Sequence, residues 1–468
     1  MSKLPFYLLL PFFFNYSPLQ AQLPAGKVID TIQCSGDSSF SYSLYLPAGY
    51  PERDNWPIVY VFDPEARGSH AVGLFSEAAE KYGFVIAGSN NARNGPWDPI
   101  YASADAMFKD TYEKLSVDRE RLYLAGFSGG SRAASSIAMI TGRFAGVIGC
   151  GAGFSPGYPP NFDIDFDFIG LIGNRDFNYQ EMMNLDRWLK TFDVDHETLE
   201  FEGGHDWPPA GAIDKALLWM KIRSMDKHYK YMDYYLLFEF REEYEKTGKQ
   251  FVEEKKFYEA FRNYQFMVTA LRGVKEVDQY ELLMYEIMQE PDFRKEIKIR
   301  QKNNEIEQTH LKQYKNAFRA YRSVDYEPGV EIQPMRWWKK QVKIANKYIK
   351  KAKTHQDTLL GERLLDYIWR TAYIQYEAVL NSDESVLVPI YLEIWSLARP
   401  EWPAPHYLAS RYYAANLEIN KAVDELEYAI EKGYSDFDAM KNDTLLHPLL
   451  DDRKFKKLTT PPDTASGR

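Results

Sequence analysis

Cysteine is nearly absent: Cys34 and Cys150 are the only two in 468 residues. Two thiols exclude a disulfide framework and a zinc site of the four-cysteine kind. One falls in the first candidate strand and the other at the end of a later one, so two buried thiols far apart across a sheet are expected rather than a bridge. A basic tract is also missing. Lys and Arg number 57 against 67 Asp and Glu, a net charge of -10, which excludes binding to nucleic acid by phosphate neutralisation. No apolar run is long and unbroken enough to span a bilayer as a helix. What remains is globular in kind: 45% hydrophobic and 26% charged residues are enough for a sizeable core, and the length fits two or three folding units.

The first residues read as a processing segment. Lys3 precedes the apolar run Leu4–Phe14, which Pro5 and Pro11 interrupt, and a polar stretch leads to Ala21-Gln22. A positive start, a short apolar run and small residues before a cut predict a secretory signal over 1–22. The mature chain is then expected to be exported, to the bacterial periplasm or outside the cell. With no cysteine at the cut, no lipid anchor is expected.

The chain changes character near residue 225. Before it, β-branched and aromatic runs alternate with helical stretches. Candidate strands are Val28–Cys34, Ser39–Leu46, Ile58–Phe62, Phe84–Ala87, Arg121–Ala125, Gly146–Cys150, Phe168–Ile172 and His196–Phe201. Those at Ile58 and Phe168 are nearly continuous apolar, as parallel strands covered on both faces are. The alternation predicts a doubly wound, mostly parallel α/β sheet over 23–224, with the first two strands paired antiparallel at an edge. After Ser224 strand signals stop and glycine becomes rare. Segments such as Glu253–Leu271, Leu311–Tyr321 and Arg336–Lys353 carry an aromatic stripe among charges, which predicts an all-α domain over 225–458 and a flexible tail over 459–468. Within it Tyr413, Ala422, Leu426 and Ala429 sit at the positions of a tetratricopeptide repeat, although the usual Trp, Gly and closing Pro are missing.

Gly126-Phe127-Ser128-Gly129-Gly130 is the sharpest signal. It follows a strand and opens a helical stretch, the setting in which G-x-S-x-G holds a serine on a strained turn above a sheet. A serine hydroxyl needs a base within hydrogen-bond reach, and the base needs an acid to fix its tautomer. In open sheets built around such a turn, the chain order is serine, acid, histidine, each after a strand. Here Gly173-Asn-Arg-Asp176 follows one strand and Glu202-Gly-Gly-His205 the next, so Ser128, Asp176 and His205 are the candidate catalytic set. His196 enters its strand at the wrong end, and Asp163, Asp165 and Asp167 precede theirs. The oxyanion calls for two donors. The N–H of Gly129 is one; the other is expected from the loop Asp63-Pro-Glu-Ala-Arg67, where Pro64 has no N–H and Glu65 or Ala66 is the candidate. Asp63 and Arg67 are as well suited to holding that loop as to meeting a substrate. Trp97, Phe127 and Trp207 are candidate substrate-binding aromatics, with local packing the bland reading of each.

These residues carry a resemblance. Tyr42-Ser-Leu-Tyr-Leu-Pro47, Pro57–Asp63, Val117–Gly130 and Gly203-Gly-His-Asp-Trp-Pro208 resemble the secreted α/β-hydrolases of the esterase type related to polyhydroxybutyrate depolymerases, feruloyl esterases and dienelactone-hydrolase-like enzymes. The resemblance spans about residues 27 to 223. It implies hydrolysis of acyl esters through an acyl-serine intermediate, with no metal and no cofactor. Two departures stand out: dienelactone-hydrolase relatives often use Cys where Ser128 stands, and no HGGG-type oxyanion motif is present. The expected partner is a small or carbohydrate-linked ester, with a protein partner for the helical half and no nucleic acid or integral membrane segment. The alternatives are a serine peptidase of the same fold and a non-catalytic scaffold whose helices bind a protein.

Overall fold

The computed structural model of the protein describes residues 23–50, 55–161, 163–227, 231–323 and 331–459. The expected leader over 1–22, and the tail beyond Thr459, lie outside the described residues.

Eight strands form one sheet: β1 (Val28–Gln33), β2 (Ser41–Tyr45), β3 (Trp56–Phe62), β4 (Val85–Ser89), β5 (Val117–Phe127), β6 (Gly146–Cys150), β7 (Asp167–Gly173) and β8 (His196–Phe201). Their order is β1-β2-β4-β3-β5-β6-β7-β8. β1 and β2 pair antiparallel, β2 meets β4 antiparallel, and the pairs from β4 through β8 are parallel. This is the α/β-hydrolase fold. β6 and β7 are buried at every position, as their unbroken apolar sequences require. Cys34 and Cys150 are free, buried thiols on opposite sides of the sheet centre.

Helices cover both faces. α1 (Gly68–Tyr82) and α5 (Ala210–Lys227) bury Val72, Phe75, Trp219 and Met220 against one face; α2 (Trp97–Lys114), α3 (Gly129–Thr141) and α4 (Tyr179–Thr191) bury Met107, Ile137 and Met182 against the other. The compositional change at 224–225 falls inside α5, and the apolar core does not stop there. It continues from Trp219 to Leu237 and Phe240 on α6 (Tyr234–Glu253) and Tyr264 on α7 (Phe257–Leu271).

The helical half continues as α8 (Asp278–Gln289), α9 (Pro291–Ser323), α10 (Met335–Lys350), α11 (His355–Val379), α12 (Val388–Ala398), α13 (Ala404–Ala415) and α14 (Ile419–Glu431), before two short helices, α15 (Phe437–Asn442) and α16 (Arg453–Leu458). Two sequence expectations need correction. The segment Glu253–Leu271 is not one helix: the chain turns at Lys255, whose φ is 56°, between α6 and α7. The segment Leu311–Tyr321 is the end of a 33-residue helix, whose earlier turns are too rich in Lys, Glu and Gln to show an apolar stripe. In the α13–α14 hairpin Ala422, Leu426 and Ala429 are fully buried, and Tyr413 packs partly buried beside them.

Candidate active site

The turn after β5 explains its glycines. A Cβ on Gly126 would lie 2.3 Å from the carbonyl of Gly130, and one on Gly130 would lie 2.0 Å from the carbonyl oxygen of Phe62. Only bare backbone lets α3 start this close to β3 and β5. Ser128 between them has φ 52° and ψ -116°. For a residue with a Cβ that conformation stores about 1–3 kcal/mol, and it is held here by the Ser128 N–H donating to the Cys150 carbonyl at 2.8 Å. The hydroxyl is thereby set at the positive end of α3.

Ser128 Oγ lies 2.9 Å from His205 Nε2, and His205 Nδ1 lies 2.8 Å from Asp176 Oδ2. Residues from the ends of β5, β7 and β8 thus meet in one hydrogen-bonded chain. Asp176 is fully buried; its other oxygen accepts the Asn178 N–H at 2.7 Å. Burial pushes its carboxyl above the usual carboxylate range, against the pull of His205 and of the Asn178 amide, and Asp366 adds repulsion. The imidazole is held between Phe127, 4.7 Å away between ring centres, and Phe177, 4.6 Å away and edge-on. Such a chain can move a proton off the serine while the buried carboxylate steadies the imidazolium.

The loop after β3 corrects the assignment of the second oxyanion donor. The Glu65 N–H donates to Asp63 Oδ1 at 2.8 Å and the Ala66 N–H to the Asp63 carbonyl at 3.0 Å, so both amides are engaged within their own turn. Asp63 is a buried hub. It also accepts from Arg67 Nη2 at 3.0 Å and from Trp207 Nε1 at 2.9 Å. Burial alone would raise its carboxyl; Arg67, Trp207 and the Glu65 amide together bring it below its ordinary value. The Asn94 side chain lies against Gly129, its Oδ1 1.8 Å from where a Gly129 Cβ would be, so only glycine fits there. Asn94 was not among the residues singled out from the sequence. Its signal was an Asn-Gly pair in a loop leaving a strand end.

The three aromatics divide. Phe127 is buried under the imidazole and against Trp207, at 5.4 Å, so it supports the site rather than offering a face to a ligand. Trp207 is pinned by Asp63 and packed edge-on against Phe75. Trp97 opens α2, stacks on Tyr101 at 5.6 Å and keeps an open face.

The helical half reaches the acid loop, a contribution that no local pattern announces. Arg363 of α11 is buried and donates to the Asn174 carbonyl at 2.9 Å, two residues before Asp176. Its other nitrogens grip the buried Glu307 of α9 at 2.7 to 3.0 Å, and its guanidinium lies 4.3 Å from the centre of the Tyr179 ring. Gln180 Nε2 donates to the same Glu307 at 2.8 Å. A cleft of about 930 Å³ opens between α4 and α9, with Phe177 and Asn178, but not Ser128, in its lining.

A second serine–histidine–carboxylate set lies in the helical half. His406 Nε2 is 2.9 Å from Ser396 Oγ, and its Nδ1 is 2.7 Å from Glu425 Oε2. Ser396 sits in the last turn of α12, where a helix presents carbonyl groups and negative potential. That is the wrong sign for an oxyanion, and the serine stands on unstrained helical backbone. Among the described residues no group of His, Cys, Asp and Glu is arranged to hold a metal ion, and no helix is long and apolar enough to cross a membrane.

No family model matches the chain, and no curated protein matches it. Solved structures with a similar fold include the fluorophosphonate-binding serine hydrolase FphF of Staphylococcus aureus, at 13% identity and TM-score 0.35, covering 42% of this chain and 99% of that one. An esterase from the archaeon Pyrobaculum calidifontis is 15% identical at TM-score 0.35, covering 43% and 87%. A ferulic acid esterase is 14% identical at TM-score 0.35, covering 42% and 97%. The fold assignment stands on strand order and direction, independently of these likenesses.

Proposed function

We propose that the protein is a serine hydrolase that cleaves acyl esters through a covalent acyl-Ser128 intermediate. The observation that carries the reading is the unbroken chain from Ser128 Oγ through His205 to a buried Asp176, with the serine strained at a helix N-terminus.

In this reading His205 Nε2 takes the Ser128 proton as Oγ bonds to the ester carbonyl carbon. Negative charge then develops on the carbonyl oxygen, for which the Gly129 N–H at the start of α3 is the donor in this reading. Collapse breaks the bond to the alcohol, which leaves with the proton from His205. A water, deprotonated by the same imidazole, attacks the acyl-serine; the acid departs and Ser128 recovers its proton. Asp176 stays ionised throughout and holds the ring through Nδ1. None of these steps calls on a metal or an organic cofactor. The α13–α14 hairpin, with its small residues at the helix contact, supports a tetratricopeptide-like reading of the far end of the chain. The segment over 1–22 supports action outside the cytoplasm.

Hydrolysis of p-nitrophenyl acetate by the purified chain, compared with Ser128→Ala, tests the proposal. A rate that the substitution abolishes is the expected outcome. No rate in the parent protein across short acyl esters, or an equal rate in both, would leave a scaffold instead.

A further inference from the structure

The charge of the chain is distributed unevenly around the cleft between the two halves. The molecule carries a net -10, yet among the described residues the cleft and the shallower groove that shares Lys315, Tyr367 and Thr371 with it are lined by six cations and two carboxylates. Both carboxylates are already engaged: Glu181 by Arg132 at 2.8 Å and Glu384 by Arg322 at 2.7 Å.

Four of the cations lie on α9. Lys312, Lys315, Arg319 and Arg322 are spaced three, four and three residues apart, which puts them on one face of the helix along about 15 Å. Like charges at that spacing repel one another. Lys312 and Lys315 are exposed and have no ion-pair partner among the described residues. The facing wall is α4, where Trp188 is 56% exposed and Asn184 lies one turn before it. The lining thus combines a row of cations, an open indole face, and the amide side chains of Asn184, Gln308 and Asn316. Cations suit carboxylates, amides suit hydroxyls, and a flat ring suits the apolar face of a sugar. Too few cations are present, on too acidic a molecule, for a nucleic-acid groove. Phe177 lines the cleft and also packs edge-on against the His205 ring.

We propose that this cleft binds an acidic, uronate-bearing glycan chain and leads its ester group past Phe177 to Ser128. The binding part stands on the cleft alone; the delivery of an ester rests on the hydrolase reading above.

The test is calorimetric binding of polygalacturonate oligosaccharides to the full chain carrying Ser128→Ala, so that turnover does not enter. Binding is expected at low salt and should weaken by about tenfold or more between about 0.05 M and about 0.5 M salt, as the Debye length falls below the lysine spacing. Lys312→Glu with Lys315→Glu should weaken it by at least about tenfold with the melting temperature held, and Trp188→Ala by several-fold. The proposal is overturned by unchanged binding in the double variant, by equal binding of neutral dextran, or by tighter binding of polyglutamate or poly(U). Intact glycan binding by a protein that hydrolyses no ester would sink the hydrolase reading and keep the cleft. Ester hydrolysis without glycan binding would do the reverse.

Discussion

Replacing Arg363 by Met should damage both stability and turnover, although the residue lies in the helical half and touches none of the reacting atoms. The side chain makes three hydrogen bonds to Glu307, one to the Asn174 carbonyl, and a cation–π contact to Tyr179. Met fills much of the volume but strands the Glu307 carboxylate, which is 1% exposed and keeps only Gln180 as donor. Removing one partner of a buried ion pair costs about 3–5 kcal/mol. For a folding unit of this size that lowers the melting temperature by about 6 to 20 °C. The Asn174 carbonyl also loses its donor, so the turn that sets Asp176 against His205 loosens. Turnover on p-nitrophenyl acetate should fall at least about tenfold, toward the ~10⁴-fold loss expected when the acid no longer orients the base. Adding Glu307→Gln to Arg363→Met removes the stranded charge. It should restore most of the melting temperature and little of kcat, because the Asn174 carbonyl is still unpaired. The reasoning is refuted if Arg363→Met melts within about 2 °C of the parent, or if it is destabilised as expected while kcat is unchanged.

Other substitutions follow from the same geometry. Asp176→Asn should lower kcat by about 10³–10⁴-fold while shifting stability by no more than about 1 kcal/mol, because it removes a buried charge along with one accepted hydrogen bond; parallel melting and rate measurements check both halves. Gly130→Ala should cost about 3 kcal/mol or fail to fold, since its Cβ meets the Phe62 carbonyl; urea unfolding reads it. Asp63 titrates below its ordinary value in the fold, so its contribution is present above the unfolded value of about 3.9 and is lost as pH falls through the lower folded value. Asp63→Asn should therefore flatten the acid limb of stability below about pH 4, measured by melting in a pH series. Asp176, raised by burial, acts in the opposite sense: its ionised form weakens the fold at neutral pH, and that cost fades on acidification.

Much of the sheet and the position of its functional rim were legible because they depend on local pattern. Buried strands such as β7 read as unbroken apolar runs, and the ends of β5, β7 and β8 could be placed to within two residues. Once strand ends are placed, topology alone brings Ser128, Asp176 and His205 to one edge. Glu65 was misassigned because an aspartate two residues before an amide competes for it. The Asp63–Glu65 hydrogen bond is the ordinary Asx-turn contact, and Asp-Pro-Glu carried that signal. The length of α9 was hidden because a helix lying largely on the surface needs few apolar positions. Arg363 was out of reach for a different reason. It meets Asn174 across 189 residues of chain, and no periodicity or motif encodes such a meeting. Tyr367 and Asp366, which approach Phe177 and Asp176 from the same helix, share that limit.

The second serine–histidine–carboxylate set gives the central claim an internal control. Ser396 has a comparable hydrogen-bonded base but sits at the carbonyl end of α12, whereas Ser128 sits strained at the amide end of α3. A fluorophosphonate probe phosphonylates a serine with loss of fluoride, leaving a tetrahedral phosphorus whose polar P=O oxygen occupies the oxyanion position, and therefore reports both nucleophile and oxyanion site. The most direct measurement is peptide mass spectrometry after such labelling of the intact chain. The account predicts one adduct, on Ser128, lost in His205→Ala and retained in His406→Ala. An unmodified Ser128, or an adduct on Ser396 alone, would contradict it.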